Sequence, residues 1–391
     1  MPLRGAPFYD LIRPYYEHAR APYQDLQWFD AHTHVGHNDP DGLEADPPDL
    51  LEAMDGAGHQ RALLFPLHEP DGYVEANDRV LAAQAEHDGR FAVLGRVDPK
   101  ADGALEEVIR VLDLGTAGIK LHPRSDDFRL PHPVVDQIVA EVGARGRIVL
   151  FHAGRGIPNL GPQAIDLARA NPDVKIILAH AGVSDLGLIA PRVTEVDNLY
   201  FDTAWWQMSD MMALFTEVPP SRILWATDMP YGTPLLSGMS ILRICASLGL
   251  SDEAVHSIVG GQLGRLVAGE EPVDLGPPPD VSVLGPRLIP AERALAYITG
   301  VFMSVVGGGR PVEALALARL TCQTPGPDDP NHEILSHIDR LLEMSQQLYL
   351  DNPEEPRRTL IPAIMAQSLA GTPRVSLPEL PESAPVLQTA V

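Results

Sequence analysis

A chain of 391 residues has room for one large domain and a smaller one, and a hydrophobic content of 45% can fill a substantial core. A formal net charge of −24 repels phosphate backbones and anionic lipid surfaces, which argues against nucleic acid or membrane as a partner. Two cysteines, Cys245 and Cys322, argue against a disulfide framework and suit a reducing compartment.

Residues 1–27 form an aromatic, proline-punctuated lead-in, predicted to hold a short helix outside the first strand. Residues 1–20 have no apolar stretch of signal-peptide type, so a cytoplasmic protein is expected. Residues 28–36 then read WFDAHTHVG. Trp28 and Phe29 look like a strand entering a core. Asp30, His32 and His34 alternate with Ala31, Thr33 and Val35, and a period of two puts the three polar groups on one face. Imidazoles at i and i+2 reach one ion from the same side, which is a metal-ligand spacing.

Further apolar, β-branched runs occur at 61–67, 91–97, 117–122, 147–152, 175–180, 199–204 and 222–228. Helical patterns separate them, for example PDLLEAMDGAG, ALEEVIRVLDLG and VVDQIVAEVGARG, several of which stop at glycine. Strands alternating with helices imply a parallel sheet. Eight such units over residues 28–270 match the size of a (β/α)₈ barrel. An open doubly wound sheet is the competing architecture, and the strand ends argue against it. The first strand ends in His32 and His34, the fifth in His152, the sixth in His180 and the eighth in Asp228. In an open sheet, strands about 4.8 Å apart would put the outer ones on the order of 30 Å from each other. Ligands of one ion must lie about 2 Å from it. If these groups share a site, only closure brings them together.

Residues 252–269 read as one last amphipathic helix, and 271–288 as a proline-rich linker. From 289 to 371 the pattern is helical again, with an apolar stripe at Ile334, Ile338, Leu341 and Leu342. These helices need a partner surface, so they are expected either to cover the barrel or to join chains into a homo-oligomer. The apolar stretch Ala294–Val306 is interrupted and reads as too short to span a bilayer. Residues 372–391 are proline-rich and are predicted to be a disordered tail. The predicted architecture is therefore α/β, a (β/α)₈ TIM barrel with a C-terminal helical appendage.

The strand DAHTH at 30–34, GIKLHP at 118–123, FHAG at 151–154, AHAG at 179–182 and TDMP at 227–230 appear in that order. This set resembles the amidohydrolase superfamily, in its amidohydrolase-related branch of metal-dependent hydrolases and decarboxylases. The resemblance covers roughly residues 28–267 and excludes the C-terminal helices. It implies His32, His34, His152 and Asp228 as metal ligands, with His180 as a further ligand or an acid/base group. Asp228 would take a proton from the activated water and hand it on. The implied cofactor is a divalent ion: Zn²⁺ is expected, with Mn²⁺ or Fe²⁺ also suited to these donors. In two-metal members a lysine at the position of Lys120 is carboxylated and bridges the ions.

His122 shares the parity of Lys120 and is expected to face the mouth as a substrate contact. Arg96, Arg124 and Trp205 are expected to touch substrate, the arginines by gripping a carboxylate. His68, Arg155 and Asp202 also follow apolar runs, and Asp30 is expected to orient a ligand histidine. His59 and His337 read as ordinary surface or loop histidines. The functional expectation is a hydrolase acting on an amide, ester or lactone of a small molecule. A nonoxidative decarboxylase is the alternative, and a silent ligand-binding barrel is the alternative of another class.

Overall fold

Eight parallel strands follow one another in chain order, each hydrogen-bonded to the next. They are β1 (Phe29–Val35), β2 (Arg61–Pro66), β3 (Phe91–Arg96), β4 (Gly118–Leu121), β5 (Ile148–Phe151), β6 (Lys175–Leu178), β7 (Leu199–Asp202) and β8 (Ile223–Leu224). The description rests on a computed structural model and covers residues 6–40 and 42–379. Closure is made beyond the short β8. Ala31 donates to the Trp225 carbonyl (3.0 Å), Asp228 to the His32 carbonyl (3.0 Å) and His34 to the Met229 carbonyl (2.8 Å). The first and last strand ends are thereby neighbours, as the shared-site argument required.

The strands divide their side chains by parity. Leu63, Phe65, Leu94, Ile148, Leu150, Ile177, Tyr200 and Leu224 form one buried cluster, which fills the ring. Residues of the other parity, such as Ile119, Val149, Ile176 and Phe201, join the helix-facing core. The (β/α)₈ fold layers apolar side chains inside the ring and leaves chemistry to the C-terminal strand ends. Accordingly, the next inward positions after the apolar layers are Arg96, Lys120, His152, Asp202 and Asp228. At the first residue of β4, a β-carbon on Gly118 would collide with the Ile148 carbonyl, so only glycine lets β4 and β5 approach this closely.

The helices are α1 (Ala6–Arg20), α2 (Pro47–Ala57), α3 (Val74–Glu86), α4 (Ala104–Asp113), α5 (Pro133–Gly143), α6 (Leu160–Ala170), α7 (Leu186–Ile189), α8 (Met208–Glu217), α9 (Pro234–Ser247), α10 (Asp252–His256) and α11 (Gln262–Ala268). The appendage holds α12 (Ile289–Val306), α13 (Val312–Thr321), α14 (His332–Asp351) and α15 (Leu360–Gly371). α1 is the expected lead-in helix, but it seats Tyr16 beside Gly238 of α9 and the Trp28 ring.

Four expectations change. Residues 252–269 are not one helix, because a wide turn at Ser257–Gly261 separates α10 from α11. There the Ile258 carbonyl accepts from Trp225 N (2.8 Å), which ties the segment to the barrel floor. The apolar stretch ending at Val306 belongs to an 18-residue helix, long and apolar enough to cross a membrane by length and composition. Its Ala294, Ile298, Val301 and Phe302 are nevertheless buried in the appendage. His59 is not a surface residue: it stacks on Trp28 with ring centres 4.3 Å apart and bonds to the Tyr16 hydroxyl (2.8 Å). Residues 372–379 of the expected disordered tail are docked on α9. Arg243 donates there to Thr372 Oγ1 (3.0 Å) and to the carbonyls of Thr372 (3.0 Å) and Ser376 (3.0 Å). Residues 380–391 lie outside the described residues.

Candidate metal centre

The His-x-His pair leaves β1 with both rings on the inner face. His32 Nδ1–H donates to Asp202 Oδ2 (2.7 Å), which turns the unprotonated Nε2 into the site. His34 Nε2 lies 3.0 Å from His32 Nε2. Asp228 Oδ1 lies 3.3 Å from the first of these nitrogens and 3.2 Å from the second. Donors about 2 Å from one ion in a tetrahedron would be separated by about 3.3 Å. The three atoms are therefore spaced as one face of a coordination shell. His32, His180 and Asp228 also offer donor atoms that all lie within 4.8 Å of one another.

His180 arrives by a different route. The inward parity of β6 passes through Ile177 and Ala179, which puts His180 out of step. A left-handed backbone at His180 (φ 57°) and Ala181 (φ 57°) brings the ring back. Its Nδ1–H donates to the Ala204 carbonyl (2.6 Å), which leaves Nε2 facing His152 Nδ1 at 2.9 Å. Asp228 is also left-handed (φ 61°). Such a conformation costs of order 1–3 kcal/mol at a residue other than glycine, and is tolerated best by short polar side chains. The three left-handed residues at this site fit a backbone held for function.

Burial sets the charges. It pushes His32, His34 and His152 well below the ordinary histidine range, and Lys120 and the neighbouring histidines add to the effect. His180 is lowered by burial against the pull of Asp202. Neutral imidazole is the ligating form. Burial and nearby Asp202 push Asp228 upward, a shift that a divalent ion beside the carboxylate reverses. With close-set lone pairs, neutral rings and one carboxylate, the residues present fit a divalent cation.

Lys120 is fully buried, its Nζ has no hydrogen-bond partner among the described residues, and it sits 4.8 Å from the centre of the Phe65 ring. Burial lowers its pKa, against the attraction of Asp202. A lowered amine is more readily neutral and nucleophilic than an exposed lysine. His122 does turn toward the site and stacks on His152, ring centres 3.8 Å apart at 13°. Arg124 is exposed at the same loop. Trp205 is half-buried with its ring centre 6.2 Å from that of His180.

Two expectations are corrected here. Arg96 does not offer a free guanidinium to substrate. Its Nη2 donates to both oxygens of Asp126 (3.2 Å each) and to Ser125 Oγ (2.6 Å), and its Nη1 to the Pro66 carbonyl (3.3 Å). Buried, with Nη1 and Nη2 both engaged, it braces the end of β2 and the loop after β4. Asp30 orients no ligand ring. Its carboxylate accepts from His32 N (3.0 Å), Thr227 N (3.0 Å) and Thr227 Oγ1 (2.5 Å), and so fastens β1 to the end of β8.

The ring-orienting role belongs to Asp202, which also accepts from His180 N (2.8 Å) and Ala204 N (3.0 Å). Its inward parity after Tyr200 was the available signal. Gly154 was missed altogether. A β-carbon there would lie 2.6 Å from His152 Nε2, so glycine is what lets the His152 ring sit where it does.

The sequence model of one family, described as amidohydrolase, matches residues 29–261. No curated protein matches the sequence. Solved structures with a similar fold include a structural-genomics target titled amidohydrolase II, 22% identical with a TM-score of 0.50, which aligns over 62% of this chain and 100% of its own. An uncharacterised TIM-barrel protein from Bordetella bronchiseptica is 17% identical with a TM-score of 0.51, over 62% of this chain and 99% of its own. A 2,6-dihydroxybenzoate decarboxylase from Rhizobium is 18% identical with a TM-score of 0.48, over 62% and 99% respectively.

Proposed function

The chain belongs to the amidohydrolase family, and from that premise we propose that it is a divalent-metal-dependent enzyme acting at the carbonyl or carboxyl carbon of a small, carboxylate-bearing molecule. The observation that carries this reading is the His32–His34–Asp228 triangle, with edges of 3.0–3.3 Å. His32, His34, His152, His180 and Asp228 are the residues that would hold the ion. Zn²⁺ is the expected occupant, with Mn²⁺ or Fe²⁺ as alternatives, and when bound it supplies Lewis acidity toward a water and a substrate oxygen.

The protein's own groups then divide the work. Asp202 fixes the tautomer of His32, so that its Nε2 faces inward. Asp228, whose side chain keeps 21% of its surface exposed, opens toward the mouth. It accepts a proton from the attacking water and returns it to the leaving group. Burial holds His180 neutral, and the Ala204 carbonyl orients its ring.

Hydrolysis is the reading that Lys120 supports. Its Nζ, without a hydrogen-bond partner among the described residues, sits among Asp202, Asp228 and the two histidine pairs. Carboxylated, it would add two oxygen donors among these groups. Nonoxidative decarboxylation stands at least level with hydrolysis. The grouping of His32, His180 and Asp228 about a single point suits one ion, and one ion is enough to hold a substrate carboxylate.

The test runs the metal-loaded enzyme in ¹⁸O-labelled water against a panel of lactones, esters, amides and aryl carboxylates. Label in the product acyl group supports hydrolysis. Release of CO₂ with no label in the remaining product selects decarboxylation. Full turnover by Asp228→Asn would overturn both.

A further inference from the structure

The family match ends at residue 261, yet residues beyond it reach the mouth of the barrel. α12 lays Phe302 flat on Trp206 of the loop after β7, ring centres 3.4 Å apart at 7°. The next residue, Met303, places Sδ 3.6 Å from Arg155 Nη1 in the loop after β5. The Arg155 guanidinium in turn lies over the two indoles, 5.3 Å from the ring centre of Trp205 and 5.6 Å from that of Trp206. Trp205 is fixed by its Nε1–H, which donates to Asp210 Oδ2 (2.7 Å), and it borders His180. An unbroken line of contacts therefore runs from the appendage to the metal centre.

The state of Arg155 is informative. It is exposed, and among the described residues no carboxylate pairs with it, in a chain whose net charge is −24. Arg96, by contrast, is buried and ion-paired with Asp126. A guanidinium seated on aromatic faces keeps its N–H groups in the plane, and apart from the weak Nη1 contact to Met303 Sδ they are available to match a carboxylate bidentately. Trp206 is taken by Phe302, and the half-buried Trp205 ring beside it offers stacking area to a flat group.

We propose that Arg155, Trp205 and Trp206, held in place by Phe302 and Met303 of the appendage, form a subsite for a planar carboxylate portion of the substrate beside the metal centre. The appendage is then a specificity element of the site, in addition to covering the barrel. This rests on the carboxylate-bearing substrate proposed above and is indifferent to which bond is broken.

The experiment titrates the metal-loaded full chain with benzoate, and with benzamide as its uncharged counterpart, following tryptophan fluorescence. The wild-type protein should bind benzoate at least ten-fold more tightly than benzamide. Arg155→Gln should lose that preference, and Arg155→Lys should regain part of it. Phe302→Ala should weaken benzoate by several-fold with metal content unchanged by elemental analysis. Arg155 is exposed, so Arg155→Gln decides the matter even if Phe302→Ala folds poorly. Equal benzoate affinity in wild type and Arg155→Gln, or no preference for benzoate in the wild type, would overturn the subsite. Neither readout needs turnover, so the labelling experiment can fail while this one succeeds, and the reverse.

Discussion

Asp202 and Asp30 are both buried carboxylates at strand ends, and what they touch separates their roles. Asp202 holds the ring nitrogen of His32, whereas Asp30 holds backbone and the Thr227 hydroxyl. Asp202→Asn removes the charge that enforces the His32 tautomer, and loss of such an outer partner typically weakens metal affinity 10–100-fold. Asp30→Asn should instead lower the unfolding midpoint and leave metal affinity within about three-fold, because no ligand ring loses its partner. Competition with a chelator, alongside urea unfolding, reads both quantities, and an equal loss of affinity in the two variants would refute the division. Gly154→Ala should cost metal affinity through His152 without unfolding the barrel. Much of this site was legible from the chain alone. His32, His34, His152 and Asp228 sit at inward parity where apolar runs end, and burial and period both mark them. Asp202 was legible as a strand-end acid but not as a partner of His32, because that contact spans 170 residues of sequence. Arg96 misled for the same reason: nothing local signals that Asp126 occupies it.

At the scale of elements, strand starts and helix order were predictable because periods of 2 and 3.6 differ over short windows. Deviations from those periods were not. The left-handed turn after β6 and the wide turn at Ser257–Gly261 are both imposed by contacts with other strands, which a local pattern does not carry. The layer between α1 and the foot of β1 has a property of its own. Burial pushes His59 well below the usual histidine value, and Arg20 adds to the effect. In the unfolded chain the same group titrates near 6.5. Below that pH the unfolded state takes up a proton that the folded state refuses. His59 therefore favours folding above about pH 6.5, and that contribution is lost as pH falls from there toward the folded value. One such group contributes a slope of about 1.4 kcal/mol per pH unit within that window. Urea unfolding of metal-free protein at pH 7.5 and pH 5.5 should show a steep loss, since several buried histidines act together. His59→Gln should be less stable at pH 7.5, because it gives up the stack on Trp28, yet lose less between the two pH values. An unchanged difference would show that His59 titrates as a solvent-exposed group.

Across the whole molecule, the barrel and the appendage are joined by polar contacts that are buried along with the apolar ones. Gln367 of α15 accepts from Met208 N (3.3 Å), and Ser368 bonds to Ser240 of α9 (2.7 Å). Arg243, 1% exposed, finds its acceptors in residues 372–376. Buried charge makes this attachment stricter than apolar stripes alone would. A chain cut near residue 275 keeps all the expected metal ligands but strands the Arg243 guanidinium without those acceptors. Removing the partners of a buried charge typically costs about 3–5 kcal/mol, before counting the apolar surface laid bare on α8 and α9. The truncated barrel should therefore aggregate, or unfold at a clearly lower urea concentration. Arg243→Met in that shortened chain removes the stranded charge and should recover part of the loss, although the same change in the full chain is destabilising. Size-exclusion chromatography and urea midpoints on the four proteins make the comparison. A shortened chain that stays monomeric with the full chain's midpoint would show that the barrel stands alone and that the Arg243 contacts contribute nothing to it.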